Sequence, residues 1–206
     1  MFPFFETIAL DQGCFRNLAY HEARVEATQK HFYGRRLLPS LDQLLSIPPS
    51  YDGGLWRCRL EYGRSPGIPV YTPYQSRTIR TLYLADASEI DYAFKFQDRT
   101  AIEKLRDLCL WDVEDAEDTA DILMVRNGCL TDTSFANVLL LHEDGCVYTP
   151  DTPMLPGTMR AFLLRSGLIR ERPLLVADAL SARGIMLINA MLPWDPTRWV
   201  RNVHTF

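Results

Sequence analysis

Ile122-Leu-Met-Val-Arg126, Asn127-Gly128 and Cys129-Leu-Thr-Asp-Thr-Ser-Phe-Ala-Asn-Val138 form the run whose reading decides the fold. An apolar run stops at an Asn-Gly pair, the residues that most readily take the left-handed conformations of a two-residue hairpin turn. Residues 122–126 and 129–131 therefore read as paired strands. Residues 135–141 read as a third strand, which Asp144-Gly145 turns into a fourth at 146–148. Hairpins dominate this half of the chain.

Working outward, Leu155-Pro-Gly-Thr-Met-Arg160 opens a helix that runs to residue 165 and stops at Gly167. A strand at 174–176, a short helix over 177–182 and an apolar strand at 184–189 follow. Upstream, a strand is expected at 78–85 and a helix at 99–110. The acidic stretch 112–121 reads as a solvated turn or helix start. Residues 4–10 read as a strand, Asp11-Gln-Gly13 as a turn and 14–17 as a second strand. The pattern then turns helical over 18–33, with Tyr20, Ala23, Ala27 and His31 on one side and Gly34 as the stop. Leu37, Leu38, Leu41, Leu44 and Leu45 suggest an apolar helical face within 35–50. Residues 55–62 alternate as a strand, and the proline-rich 63–73 suits an extended strand or a crossing linker. These readings give a mixed α/β (α+β) chain, with a small α/β domain over 1–76 and a larger, hairpin-rich domain over 77–206.

The 206 residues are 47% apolar and 23% charged, enough for a sizeable core and against disorder. A net charge of -4 with both signs interspersed provides no basic face for a phosphate backbone, so nucleic acid is not an expected partner. No apolar run is long enough for a membrane span, and the apolar N-terminus lacks the basic flank of a signal peptide. Five cysteines without metal-ligand spacing are expected to be reduced core thiols of a cytoplasmic protein, and no metal site is expected.

Only three of the 22 basic residues are lysine, and one of them, Lys95, sits between two phenylalanines in Tyr92-Ala-Phe-Lys-Phe-Gln-Asp-Arg99. Arginine cannot give up its proton, whereas a lysine amine among apolar neighbours can. Lys95 is therefore the candidate nucleophile and base. Taken alone, it reads more simply as a lysine whose stem packs on aromatics while its head reaches water. Asp132 places a carboxylate after a strand in an otherwise uncharged, hydroxyl-rich segment, where an ordinary turn or cap would also suit it. Gly157-Thr-Met-Arg160 opens a helix, where backbone amides and the helix dipole favour a phosphate. An amine, a carboxylate and a phosphate cup are together the three anchors that pyridoxal 5'-phosphate requires.

The run 127–138, then Tyr148-Thr-Pro150, then Leu155-Pro-Gly-Thr-Met-Arg160, resembles the signature of the class IV aminotransferase family, the fold-type IV pyridoxal phosphate enzymes. The resemblance spans nearly the whole chain and is densest from Lys95 onward. It implies the two-domain fold of that family and its cofactor. Lys95 stands where the family has its Schiff-base lysine, and Arg24 in His21-Glu-Ala-Arg24 matches its phosphate-binding arginine. The cofactor residues implied are Arg24, Lys95, Arg99, Asp132, Thr133, Ser134, Leu155, Gly157, Thr158, Met159 and Asn189. On the substrate side the match implies Arg99, the Ala190 amide and Met191.

The Lys95-Phe-Gln-Asp-Arg99 spacing, Met159 and Ile188-Asn-Ala-Met-Leu-Pro193 are similar to the 4-amino-4-deoxychorismate lyases of the family. Two departures stand out. The family usually carries glutamate at Asp132, so the ring must sit closer or be reached through water. The chain also starts at the Phe-Glu-Thr strand, which family members reach after an opening hairpin. The resemblance implies a lyase first, an amino-acid transaminase second, and a catalytically silent cofactor-binding homologue third. The expected substrate is a small amine bearing a carboxylate, which Arg99, Arg59 or Arg57 could pair with bidentately. A homodimer is expected by resemblance only.

Overall fold

The computed structural model describes residues 2–114 and 116–205. Its contacts divide the chain into two units. One is the chain up to Ser76 together with Phe94–Asp98; the other is Arg77–Ala93 together with the chain from Arg99.

The first unit contains β1 (Phe4–Asp11), β2 (Cys14–Phe15), α1 (Leu18–Tyr33), α2 (Leu41–Leu44), β3 (Leu55–Tyr62) and β4 (Val70–Pro73). The strands form an antiparallel sheet in the order β2-β1-β3-β4, with Phe5 opposite Glu61 and Thr7 opposite Arg59. Ile8, Val25, Leu38, Leu41, Leu45, Cys58 and Leu60 make its core. As an interior strand, β1 buries nearly every side chain, Glu6 included.

The buried face of α1 differs from the expected one. His21, Val25, Thr28 and Gln29 are buried, while Ala23, Ala27 and His31 are exposed. Polar side chains can face inward here because each finds a partner. Thr28 donates to the Arg24 carbonyl, and Gln29 donates to the Gly63 carbonyl while accepting from the Leu37 and Leu38 amides. Periodicity counts apolar residues, and so it picked the wrong side. Residues 35–50 likewise form only the single turn α2, although Leu38, Leu41 and Leu45 do reach the core.

Phe94–Asp98 joins this unit as a bent segment beside β1. The Phe5 amide donates to the Lys95 carbonyl, the Gln97 amide donates to the Pro3 carbonyl, and Phe4 and Phe96 form a bridge.

The second unit begins with β5 (Thr81–Asp86), α3 (Thr100–Cys109), α4 (Ala116–Thr119), β6 (Ala120–Arg126), β7 (Cys129–Thr133) and β8 (Asn137–Leu141). It continues through β9 (Val147–Pro150), α5 (Thr158–Arg165), β10 (Arg170–Arg172), α6 (Val176–Ser181), β11 (Gly184–Ile188) and β12 (Asn202–His204). The sheet order is β10-β9-β8-β7-β6-β5-β12, with β11 added to β8. Asn127 and Gly128 turn β6 into β7 with φ of 51° and 80°, both in the left-handed region. The pairs β5–β6, β5–β12 and β9–β10 are parallel, so the sheet is mixed.

Residues 174–176 are not a strand: the Leu174 carbonyl accepts from the Leu130 amide and the chain turns directly into α6. Strands β10 and β12 have only three residues each, too few to show alternation in sequence. Of the acidic stretch 112–121, Asp115 lies outside the described residues. Leu139, Met159, Leu163, Ile169, Met186 and Ile188 pack α5 onto the sheet. Of the five cysteines, all free, only Cys58 is buried and Cys14 is exposed, so the expectation of core thiols holds for one. No helix among the described residues is long and apolar enough to cross a membrane.

Candidate active site

Asp132 owes its position to an irregularity in the hairpin. The pairing of β6 with β7 shifts between Leu123 and Val125, leaving Thr131 and Asp132 together opposite Met124. Such a bulge re-aims side chains. The Thr131 hydroxyl donates to the Met124 carbonyl at 3.1 Å, and Asp132 pairs with Asn137 across to β8.

The Asp132 carboxylate is buried and held from two sides. Asn137 Nδ2 donates to Oδ1 at 2.7 Å, and the Leu155 amide donates to Oδ2 at 2.8 Å. Burial raises its pKa to about 6 against the lowering effect of these hydrogen bonds and of Arg160. Each carboxylate oxygen has a second lone pair, so the group can still accept a ring N–H.

Asn137 also donates to the Leu155 carbonyl at 2.9 Å, joining Asp132 to the loop that enters α5. At the end of that loop, a Cβ on Gly157 would fall 1.8 Å from Asn137 Oδ1. Glycine is required here by close approach. Gly157 is also the N-cap of α5, so no side chain caps the helix, and the first turn carries no acidic residue. An uncapped, acid-free helix start suits a phosphate group. Thr158 and Met159 are both buried, Met159 in the core, which leaves the backbone of Met159 as the part suited to an anion.

Thr133 and Ser134 form the turn after Asp132. Thr133 Oγ1 accepts from the Ala136 amide at 3.2 Å, and the Ser134 amide donates to the buried Asp121 carboxylate at 3.1 Å. Arg99 donates through Nη2 to the Ser134 carbonyl at 2.5 Å and lies over the Tyr92 ring. Asn189 Oδ1 accepts from the Met191 and Leu192 amides, and Nδ2 donates to the Phe135 carbonyl at 3.2 Å. Asn189 thus ties the 189–192 turn, which includes Ala190, to the segment after Asp132.

Lys95 and Arg24 belong to the first unit. Lys95 is half-buried, with Nζ 4.6 Å from the centroid of the Phe5 ring, while Phe94 and Phe96 join an aromatic cluster with Phe32. Arg24 forks onto the buried Glu6 carboxylate, Nε to Oε1 at 2.9 Å and Nη2 to Oε2 at 2.6 Å. His21 Nδ1 lies 2.6 Å from the same Oε2. Burial by itself would raise the Glu6 pKa, but Arg24 and His21 outweigh it and hold the carboxyl at about 2. His21 is pushed down, chiefly by burial, with Arg24 and Lys95 adding to the effect and Glu6 opposing it.

Sequence reasoning passed over Glu6, His21, Asn137 and Asp121. A carboxylate inside an apolar strand was the signal for Glu6, and a histidine three residues before Arg24, on the same helix face, was the signal for His21. Asn137, the polar residue heading an otherwise apolar strand, was another.

The amino-transferase class IV family model matches residues 106–198. An uncharacterized protein of Haemophilus influenzae is 33% identical over 196 residues, covering 93% of this chain and 98% of its own. The crystal structure of a candidate 4-amino-4-deoxychorismate lyase from Haemophilus somnus is also 33% identical, with a TM-score of 0.82 over 94% of this chain and 98% of that one. A candidate amino-acid aminotransferase from Mesorhizobium loti shares the fold at 20% identity, with a TM-score of 0.74 over 98% of this chain and 99% of that one. The chain belongs to the class IV aminotransferase family, the fold-type IV pyridoxal phosphate enzymes.

Proposed function

We propose that this protein binds pyridoxal 5'-phosphate and acts as a lyase, converting 4-amino-4-deoxychorismate to 4-aminobenzoate and pyruvate. The observation that carries the reading is the 33% identity, over nearly the whole of both chains, with the Haemophilus somnus candidate lyase. The transaminase-like neighbour matches at 20% and supports the fold alone.

The residues present fit the cofactor. Asp132 is buried with lone pairs to spare for a ring nitrogen, and α5 starts at an uncapped glycine suited to a phosphate. In this reading Lys95 would hold the cofactor through its aldehyde, and Arg24, Gly157, Thr158, the Met159 amide and Asn189 would hold its phosphate. Thr133, Ser134 and Leu155 shape the loop around Asp132. When bound, the cofactor supplies an electron sink for the carbon that carries the substrate's amino group.

The chain's own work is proton handling and placement. Lys95 Nζ would take the proton from that carbon, and Asp132 would keep a proton at the ring nitrogen. Arg99, docked on the Ser134 carbonyl, steadies the turn after Asp132 and lies with the Ala190 amide and Met191 on the substrate side. The atoms of 4-aminobenzoate and pyruvate together equal those of the substrate, so no oxidant or amino acceptor is consumed. In the same reading the protein is a cytoplasmic homodimer.

The test is an assay of the cofactor-loaded protein with 4-amino-4-deoxychorismate, following 4-aminobenzoate and pyruvate together. Equal release of both is expected. Cofactor binding without release of either product would overturn the lyase reading and point to a transaminase, the second activity of the family.

A further inference from the structure

We infer that Arg59 is the residue that recognises the substrate's carboxylate. The inference deepens the proposed function and rests on Lys95 being the reacting amine.

Arg59 and Lys95 share one aromatic ring. The Arg59 guanidinium carbon lies 3.9 Å from the centroid of Phe5, and Lys95 Nζ lies 4.6 Å from it. The two cationic groups are therefore no more than about 8.5 Å apart, the sum of those distances. Strand register explains the meeting: Arg59 stands on β3 opposite Thr7 on β1, two residues on from Phe5, and Lys95 runs along the other edge of Phe5.

Arg59 is braced but not used up. Nε donates to Glu61 Oε1 at 3.2 Å in a part-exposed ion pair that a substrate carboxylate would share, and Nη2 donates to Gln97 Oε1 at 3.2 Å. Those bonds take two of the five guanidinium N–H donors and leave three, enough for a bidentate carboxylate. Gln97 is two residues from Lys95 and is itself pinned by donating to the Phe2 carbonyl at 2.6 Å. The brace that orients Arg59 is thus built on the segment that carries the reacting amine. A preorganised fork loses less entropy on pairing than a free one.

The other two arginines fit less well. Arg57 is exposed, with no such brace. Arg99 belongs to the second unit, where it donates to the Ser134 carbonyl and lies over Tyr92. A ligand with its amine at Lys95 and its carboxylate on Arg59 has to span no more than about 8.5 Å, which the proposed substrate, with the two groups para on a six-membered ring, can do.

The test is a cycle between protein and ligand, read as binding by calorimetry. Wild-type protein, Arg59→Gln and Arg57→Gln are each titrated with 4-aminobenzoate and with 4-aminobenzamide, which lacks the charge. The wild type should prefer the carboxylate by about tenfold, the order of one charge-assisted pair. Arg59→Gln should abolish that preference without changing cofactor absorbance or the thermal midpoint, and Arg57→Gln should keep it. A preference retained in Arg59→Gln, or lost in Arg57→Gln, would overturn the inference. The proposed function fails separately, if the wild type takes up no cofactor or if Lys95→Ala leaves its absorbance unchanged.

Discussion

The side-chain amide of Asn137 binds the Asp132 carboxylate at 2.7 Å and the Leu155 carbonyl at 2.9 Å, and its oxygen fills the space where a Cβ on residue 157 would sit. One side chain therefore sets the position of the buried acid and of the loop that opens α5. Removing it should disturb both. Asn137→Ala is expected to cost about 1–3 kcal/mol, because a buried carboxylate oxygen loses its donor. Chemical denaturation of the cofactor-free protein measures this, and a cost near zero would mean that water replaces the amide.

Gly157→Ala tests the same junction from the other side. The added methyl cannot fit at 1.8 Å from Asn137 Oδ1, so Asn137 must move and release Asp132 or Leu155. Weakened cofactor binding with a modest loss of stability, about 1–3 kcal/mol, is expected. An absorbance titration with pyridoxal 5'-phosphate reads the first effect and thermal melting the second.

Glu6 and Asp132 give stability opposite pH dependences. The Glu6 pKa is depressed to about 2, so its contribution is full above the ordinary glutamate value and is lost as pH falls towards 2. The depression amounts to about 3 kcal/mol. The Asp132 pKa is raised to about 6, so its contribution is full below the ordinary aspartate value and is lost as pH rises through 6. Stability profiles of the cofactor-free protein should show Glu6→Gln flattening the acid limb. Asp132→Asn should gain on wild type between about pH 4 and 7, spanning the ordinary and raised aspartate values. Parallel profiles for Asp132→Asn and wild type would contradict the raised pKa.

Lys95→Ala should remove the near-visible absorbance of the bound cofactor while leaving the fold intact, since the side chain is only half-buried. Absorbance and far-ultraviolet circular dichroism check the two halves of this statement. Unchanged absorbance would move the role to Lys30 or Lys104.

Gln29 carries three internal hydrogen bonds at 2.6, 2.7 and 3.0 Å that fasten α1 to the Gly63 carbonyl and to the Leu37 and Leu38 amides. Gln29→Leu keeps the volume and orphans all three groups. A loss of about 2 kcal/mol or more is expected, at least 1 kcal/mol for each of the two buried groups left unpaired, the Gly63 carbonyl and the Leu38 amide. Denaturant midpoints of the variant and wild type decide it.

Much of the architecture was legible in the chain itself. Asn127-Gly128 placed the hairpin of β6 and β7, and Gly34 ended α1, because these residues act through local backbone conformation. Lys95, Asp132 and the Gly157 helix start were readable as a candidate set only together, since each alone has a plainer use, as a snorkelling lysine, a turn or cap, and an ordinary helix start. Partnerships between distant segments were not legible. Glu6 meets His21 and Arg24 across fifteen and eighteen residues, and Arg59 meets Gln97 across 38. The inward face of α1 was misread for the same reason: whether a glutamine or a histidine can be buried depends on which donors and acceptors the rest of the fold brings to it. The sequence alone determined the backbone turns and most of the strand and helix types, and it singled out the residues proposed to carry chemistry. The tertiary structure alone decided which charges are paired, which are buried, and which side chains hold the others in place, because desolvation and hydrogen bonding depend on neighbours that only folding assembles.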